Sequence, residues 1–224
     1  MTTAFDALTT ILDARHSCRG FLPEPVGDEV IARIVRAAGR APSWCNAQPW
    51  QVTVTRGAET ERFRAALLEA VRTDRPQPDL PWPERYPGAH GARRRECGLQ
   101  LYEAVGIARE DRAARAEQGM ENYRLFGAPH VAIVHSEAAL GPYGAMDTGG
   151  FVTAFMLAAT ALGVGSIAQA SVAAYAPMIR AHFSLPETRL ILCAISFGLP
   201  DPNHPANRFR TTRASLDEVL DLRG

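Results

Sequence analysis

The stretch GGFVTAFMLAATALGVG, from Gly149 to Gly165, decides between a membrane-bound and a globular fold. Its apolar run is shorter than the roughly 20 residues that span a bilayer core. It also contains two threonines, and Asp147 lies just before it. We therefore expect a helix that is buried on all sides, in a protein core or at a subunit interface, and no membrane span. Gly163 is predicted to be its C-terminal cap.

The composition around this helix is that of an ordinary globular protein. The chain has 224 residues, of which 46% are hydrophobic and 21% charged, and we expect a single domain over residues 1–224. Twenty-four basic residues balance 24 acidic ones, so no global field would draw the protein to nucleic acid or to an anionic membrane. Any anion site must therefore be local.

The cysteines indicate a reducing compartment. Cys18, Cys45, Cys97 and Cys193 lie far apart and form no CxxC pair, which argues against a structural zinc site and against a disulfide framework. The first residues form an amphipathic, acid-containing segment, which does not resemble a signal peptide. We therefore expect a cytoplasmic protein.

Local patterns predict alternating helices and strands around the apolar helix. A helical pattern runs from about Ala92 to Phe126, with a possible break at Gly106. The segment GSIAQ, 165–169, fits either a strand or a loop. Ser171 is a plausible N-cap for a helix that runs to residue 183, and Ser215 and Glu218 have capping-box spacing. The other predicted elements are helices around 5–12, 30–35 and 58–73 and strands at 51–55, 130–135 and 189–198.

One segment cannot form regular structure. RPQPDLPWPERYPGAHG has five prolines and two glycines in 17 positions, and proline removes the backbone donors that helices and sheets need. Long irregular insertions in compact domains are commonly lids or binding loops, although disorder is an equal alternative. We predict a Pro-rich loop or lid at about residues 74–91.

Several familiar motifs are incomplete. GVGSIA matches the spacing GxGxxA but follows a helix rather than a strand, so the sequence does not predict a dinucleotide-binding Rossmann fold. His130 and His135 would point to opposite faces of a strand, and no metal site is expected. No GxSxG turn accompanies a plausible catalytic triad.

Two arginine-rich segments point to an anionic ligand. RHSCRGF supplies Arg15, Ser17 and Arg19, and NRFRTTR supplies Arg208, Arg210 and Arg213. Guanidinium groups bind phosphate oxygens as fixed forks of donors. Each segment alone could equally be a solvated surface with ion pairs. A third segment, APSWCNAQPW, places Ser43, Asn46 and Gln48 among aromatic residues, which suits a flat heterocycle with carbonyl groups. Together the three segments describe a site for a mononucleotide such as FMN.

These segments resemble motifs of the FMN-dependent nitroreductase family, in particular the branch of nitrobenzoate and nitrobenzene reductases. RHSCRGF resembles the family pattern RRSxRxF, and APSWCNAQPW resembles APSxxNxQPW. Further similar stretches cover most of the chain: ARRRECG, ENYRLFGAP, GPYGAMDTGGF, LGVGSIAQASVAAY and GLPDPNHPANRFRTTRASLDEV. The sequence departs from the pattern at His16, where the family has a second arginine, and at Ala168, where the close branch often has proline.

The resemblance implies an α+β fold in which helices surround a mixed central sheet. It also implies an intertwined homodimer with one FMN in each of two interface sites. One subunit would contribute Arg15, His16, Ser17 and Arg19, and the partner subunit the loop with Pro42, Ser43, Asn46 and Gln48. Arg213 and Arg210 would close on the phosphate, and the backbone at Ala168 and Gln169 would lie beside flavin N5.

The resemblance further implies an NAD(P)H-dependent oxidoreductase that reduces nitroaromatic or quinone-like substrates by a ping-pong, two-electron mechanism. NADH and NADPH remain open as donors. An aromatic substrate would stack against Trp82, Tyr86, Tyr123 and Phe126, although ordinary packing explains these residues equally well. Other flavin chemistry in the same fold, such as dehalogenation, heterocycle oxidation or flavin fragmentation, stays an alternative. So do a non-catalytic flavin-binding protein and a phosphate-ligand protein without flavin.

Overall fold

The computed structural model describes residues 3–224 as helices around a four-stranded sheet. The α+β class that the sequence predicts is confirmed. The helices are α1 (Ala4–Ala14), α2 (Asp28–Ala38), α3 (Ala58–Thr73), α4 (Gly88–Ala104), α5 (Arg112–Met120), α6 (Gly141–Ala161) and α7 (Ala176–Phe183). The strands are β1 (Trp50–Val54), β2 (His130–Glu137), β3 (Gly165–Gln169) and β4 (Arg189–Gly198).

The sheet has the strand order β1-β2-β4-β3. Within residues 3–224 its three strand pairings are all antiparallel. A parallel pairing occurs only at an isolated bridge between Ser17 and Ser166. The mixed sheet expected from the resemblance is therefore corrected: in one protomer the strands themselves are antiparallel, and the parallel contact is limited to the segment that follows α1.

The core lies on both faces of the sheet. Because successive side chains of a strand point to opposite faces, Val131 and Ile133 of β2 pack with α3 and α7. Ala132 and Val134 pack on the other face, with α2 and α6. All four of these side chains are buried. The result is three layers, with helices on each face of the sheet.

The long apolar helix is α6, and it is not buried on all sides in the protomer. Phe151, Phe155 and Ala159 recur at a spacing of four residues and are buried against the sheet. Tyr143 and Met146, near the start of the helix, are 54% and 63% exposed. In a single chain only one face of the helix meets the sheet, and burial of the rest at a subunit interface stays a prediction. None of the helices described, α6 included, combines the length and apolar character that a membrane crossing requires.

His130 connects β2 to the segment before α2. Its Nε2 accepts a hydrogen bond from the backbone N–H of Val26 (2.9 Å), and its Nδ1 lies 3.0 Å from the carbonyl oxygen of Thr55. The ring stacks on Phe197. Since Nε2 must accept, the ring is neutral, with its proton on Nδ1. Burial lowers the pKa of His130, although the bond to Thr55 opposes this shift.

We expect His130 to make the protein sensitive to acid. Because the pKa is lower in the folded than in the unfolded protein, the unfolded chain binds the proton first as the pH falls below about 6.5. The free energy of unfolding should then fall by up to about 1.4 kcal/mol per pH unit for this one group. Urea unfolding from pH 7.5 to 5 should show a shallower decline for His130→Phe than for the parent chain. His90→Gln, at an exposed position of α4, should leave the slope unchanged; equal slopes in all three proteins would contradict this role.

Candidate functional site

The segment that follows α1 is attached to the edge of the sheet beside β3. The backbone N–H of Cys18 donates to the carbonyl oxygen of Ser166 (3.1 Å), next to the bridge between Ser17 and Ser166. A Cβ atom added to Gly165 would lie 2.8 Å from Sγ of Cys18. Glycine is therefore needed at Gly165 for the two segments to approach this closely.

The same segment is joined to the C-terminal region by Asn207. Its Oδ1 accepts from the backbone N–H of Arg19 (2.7 Å), and its Nδ2 donates to the carbonyl oxygens of Gly20 (2.8 Å) and Asp201 (2.9 Å). A Cβ atom at Gly20 would lie 2.2 Å from Cγ of His204, so a larger residue does not fit. Asn207 is buried. These contacts bring both ends of the chain to one place.

A cavity of about 300 Å³ opens where the two ends meet. It is lined by every site residue that the sequence predicts in RHSCRGF and NRFRTTR, except Arg208. Nη2 of Arg208 donates instead to the carbonyl oxygen of Asn203 (3.2 Å). Within residues 3–224 none of the arginines of this cavity forms a salt bridge. The lining residues are Leu12, Asp13, Arg15, His16, Ser17, Arg19, Cys97, Phe209, Arg210, Thr211 and Arg213.

The electrostatics of this cavity favour an anion. Burial lowers the pKa of Arg15, and the charge of Arg213 lowers it further. Burial also lowers the pKa of Arg19. The pKa of His16 is lowered, first by burial and then by the charges of Arg210, Arg15 and Arg19, against an opposing hydrogen bond to Ala14. Since each positive charge disfavours its neighbours, an anion bound among them would relieve the repulsion.

The loop predicted to bind a flat ring lies elsewhere in the protomer, against the start of α6. The backbone N–H of Trp44 donates to Oδ2 of Asp147 (2.9 Å), and that of Gln48 donates to Oγ of Ser43 (2.9 Å). Cys45, Asn46 and Gln48 have φ values of 51°, 56° and 49°. Left-handed conformations are costly for Cys and Gln, although Asn adopts them more readily, so the packing holds the loop in a defined shape. Pro42 and Ser43 border a surface cavity with Trp44, Tyr143, Met146 and Asp147.

Comparisons with known proteins identify the family. A model described as Nitroreductase family matches residues 12–199. The chain belongs to the nitroreductase family. It is 36% identical to nitroreductase NfnB of Mycolicibacterium smegmatis over 214 residues, which cover 95% of this chain and 91% of that protein. It is 30% identical to a 4-nitrobenzoate reductase of Pseudomonas putida over 213 residues, which cover 95% and 92%.

Solved structures of this family share the fold over the whole chain. The crystal structure of the FMN-dependent nitroreductase NfnB from Mycobacterium smegmatis in complex with NADPH superposes with a TM-score of 0.94 and 34% identity. The match covers 99% of this chain and 100% of that one. The FMN and NADPH-dependent nitroreductase NfnB from sphigopyxis sp. strain HMH gives a TM-score of 0.93 and 34% identity, over 97% and 99%.

In this nitroreductase the end of β3 is fixed by a buried network. Ser196 donates from Oγ to Oε1 of Gln169 (2.5 Å), and Nε2 of Gln169 donates to the carbonyl oxygen of Asn122 (2.7 Å). Gln169 is 2% exposed, whereas its neighbour Ala168 is exposed. Both amide atoms of Gln169 are thus bonded inside the protein, and the exposed part of this strand end lies at Ala168.

The four aromatic residues predicted as a substrate wall are not brought together in the protomer. Trp82 and Tyr86 are 48% and 46% exposed on the Pro-rich loop. Tyr123 packs edge-on against Tyr175, with ring centroids 5.7 Å apart. Phe126 is 6% exposed, so its ring is not available to a substrate in this conformation. A contact between Phe126 and an aromatic substrate therefore stays a prediction.

The Pro-rich loop of this nitroreductase is ordered at its start. Oδ2 of Asp79 accepts from Nη1 of Arg180 (2.6 Å) and from the backbone N–H of Ile191 (2.7 Å). The backbone N–H of Gln77 donates to the carbonyl oxygen of Ala174 (2.6 Å). Helix α4 begins at Gly88, so the loop is shorter than the predicted 74–91. Its remaining part, residues 80–87, covers one side of α4.

Sequence reasoning missed the residues that support the site. Asn207 and His204 lie in a stretch that resembles the family, but their residue types gave no sign that they join the two chain ends. Cys97 lies within ARRRECG and lines the arginine cavity. Ser196 lies within a predicted strand and donates to Gln169. In the sequence, a serine among apolar strand residues is the only indication of this buried network. These contacts join residues that are distant in sequence, so local patterns do not reveal them.

Proposed function

We propose that this chain is an FMN-dependent oxidoreductase that reduces nitroaromatic or quinone-like compounds with NAD(P)H. The observation that carries the proposal is the convergence of Arg15, Arg19, Arg210 and Arg213 from both chain ends on one cavity. Membership of the nitroreductase family and the FMN- and NADPH-dependent enzymes among its relatives support the same function.

The residues of the cavity fit the phosphorylated part of FMN. Arg15, Arg210 and Arg213 offer charge-assisted donors to a phosphate, and the hydroxyl of Ser17 adds a neutral donor. Arg19 stands over the ring of Phe209, 5.5 Å from its centroid, and would hold the ribityl chain and pyrimidine edge. When bound, FMN supplies the two-electron chemistry between nicotinamide and nitro group.

The remaining part of the site requires a second copy of the chain. The loop with Pro42, Ser43, Asn46 and Gln48 does not line the arginine cavity of its own protomer. A partner subunit would supply this loop, with its amide groups directed to the carbonyl edge of the ring. The backbone at Ala168 and Gln169 would lie beside flavin N5, and His16 would remain at the phosphate end.

The exposed apolar surface supports a homodimer. Near the start of α6, Trp44 packs edge-on against Tyr143 with centroids 4.6 Å apart, yet Trp44 is 61% and Met146 63% exposed. We call Trp44, Leu140, Tyr143 and Met146 the α6 patch. Large apolar patches on a protein surface mark interaction sites. On α1 and the C-terminal segment, Phe5, Leu8, Leu12, Leu216, Val219, Leu220 and Leu222 are also exposed.

NAD(P)H and the oxidising substrate would bind one after the other. NAD(P)H and the oxidant would use the same space over the flavin, so steady-state kinetics should follow a ping-pong pattern. Trp82 and Tyr86, exposed on the Pro-rich loop, would contact an aromatic substrate together with Tyr123 and Phe126. A cytoplasmic location is part of the proposal, and the free state of all four cysteines supports it.

The test is the absorbance spectrum of the purified protein, followed by anaerobic addition of each nicotinamide. We expect flavin bands that bleach with NADPH or NADH and return when a nitroaromatic compound is added. A colourless protein that does not take up FMN would overturn the proposal. Bleaching without turnover of nitroaromatic compounds or quinones would favour other flavin chemistry, and flavin that never bleaches would indicate a non-catalytic carrier.

A further inference from the structure

A second cavity, of about 720 Å³, lies under residues 83–86 of the Pro-rich loop. Helix α4 forms its floor, and Arg115 of α5 lies at its side. Cys97 lines both this cavity and the arginine cavity, so the two adjoin. A ligand that entered the first could therefore extend into the second.

The second cavity is strongly cationic. Four arginines line it, Arg85, Arg94, Arg95 and Arg115, against one acidic residue, Glu84. Within residues 3–224 none of the four forms a salt bridge. The nearby Arg93 does, with Glu218 (2.7 Å), and it does not line the cavity. Uncompensated charge is therefore concentrated on the side of α4 that faces the loop.

Two of these guanidinium groups are held in place by aromatic rings. Arg94 lies over Tyr86, 5.0 Å from the ring centroid, and Arg115 lies over Tyr102, at 4.9 Å. Nη1 of Arg115 donates to the carbonyl oxygen of Arg109 (3.0 Å). Its Nε is buried, and the part of the chain that the structure describes offers it no hydrogen-bond partner. The ring contact and the bond to Arg109 therefore fix the position of this side chain at the edge of the cavity.

We propose that this cavity binds the 2′-phosphate-bearing end of NADPH, and that it makes NADPH the preferred donor. The inference rests on the proposed function, since the cavity adjoins the flavin site. A phosphomonoester carries about 1.5 to 2 negative charges at pH 7 and three acceptor oxygens, which matches the excess of guanidinium groups. The pyrophosphate of NADH alone carries fewer charges. Arginine also suits phosphate better than lysine because its donors form a fixed fork.

The test uses the FMN-loaded protein and adenosine 2′,5′-bisphosphate, which carries the same 2′-phosphate as NADPH. Calorimetric titration should show that it binds about tenfold more tightly than ADP, as expected for added charge-assisted hydrogen bonds. Arg94→Gln and Arg115→Gln should each weaken this binding about tenfold and raise the KM for NADPH similarly, while kcat and the KM for NADH change little. Arg112→Gln removes the same charge from an exposed position of α5 outside the cavity and should change neither value.

The outcomes separate this inference from the proposed function. Equal binding of the bisphosphate and ADP, or equal effects of the variants on NADPH and NADH, would overturn the 2′-phosphate site. If the bisphosphate binds as expected but neither nicotinamide bleaches the flavin, the phosphate site stands, whereas the proposed reductase function and the preference for NADPH as donor fall. Unchanged flavin content and circular dichroism in the two variants exclude misfolding as the cause.

Discussion

Protein carrying Arg19→Ala is expected to fold like the parent chain but to be purified with little or no flavin. The Arg19 side chain has one hydrogen bond in the described residues, a long one to the carbonyl oxygen of Ser17 (3.4 Å). Its removal therefore breaks little of the fold. It removes a desolvated cation from the proposed flavin site, where a charge-assisted hydrogen bond is worth about 1.5 to 3 kcal/mol, or roughly 10- to 100-fold in FMN affinity.

The measurement is FMN content after purification, followed by titration of FMN into the apoprotein. Arg208→Ala is the matched control, because Arg208 lies in the same region but outside the cavity. It should keep its flavin, and thermal unfolding of the two apoproteins should be similar. A fully yellow and fully active Arg19→Ala protein would show that Arg19 does not hold the cofactor.

The Met146→Glu variant is expected to be a folded monomer that has lost most of its flavin. Met146 is 63% exposed in the protomer, and surface substitutions usually change the free energy of unfolding by less than about 0.5 kcal/mol. In the proposed dimer the same position is buried in the α6 patch, where an unpaired carboxylate is strongly unfavourable. Because the partner subunit would supply the loop of Pro42 to Gln48, loss of the dimer should also remove the cofactor.

Light scattering after gel filtration gives the mass, and the absorbance spectrum gives the flavin content. Leu80→Glu is the control, since it also places a carboxylate at an exposed apolar residue, one that is 40% exposed and outside the α6 patch. It should remain dimeric. If Met146→Glu has the same mass and colour as the parent chain, the α6 patch is not the dimer interface.

Several elements could be predicted from local sequence to the residue. Helix α3 spans Ala58–Thr73 and strand β4 spans Arg189–Gly198, as their periodicity indicates. Gly163, two residues after the end of α6, has φ = 73°, the left-handed conformation of a glycine that ends a helix, which confirms the prediction. The Ser215–Glu218 capping box is also present, although it begins a single 3-10 turn rather than an α-helix.

Other local predictions were wrong or were left open where tertiary contacts decide the structure. Ser171 makes no capping hydrogen bond, and a 3-10 turn at Val172–Tyr175 precedes α7. The ambiguous segment GSIAQ became β3, because its backbone pairs with β4. The break predicted at Gly106 is confirmed: the helical pattern from 92 to 126 divides there into α4 and α5, and Gly106 has a φ of 71°.

Local sequence was sufficient to identify the chemical groups that are available: paired arginines near each end, an amide-rich loop and a helix whose apolar run is too short to cross a membrane. These groups can be identified because they follow from the spacing of residues along a short segment, which is the only information that helix and strand patterns contain. That the two arginine segments share a cavity follows from tertiary contacts, through Asn207 and the close contact of Gly20 with His204. Tertiary contacts also decide that the amide loop lies apart from that cavity in one chain. Such contacts depend on how distant residues pack, and packing energy is a property of the whole folded chain rather than of any segment.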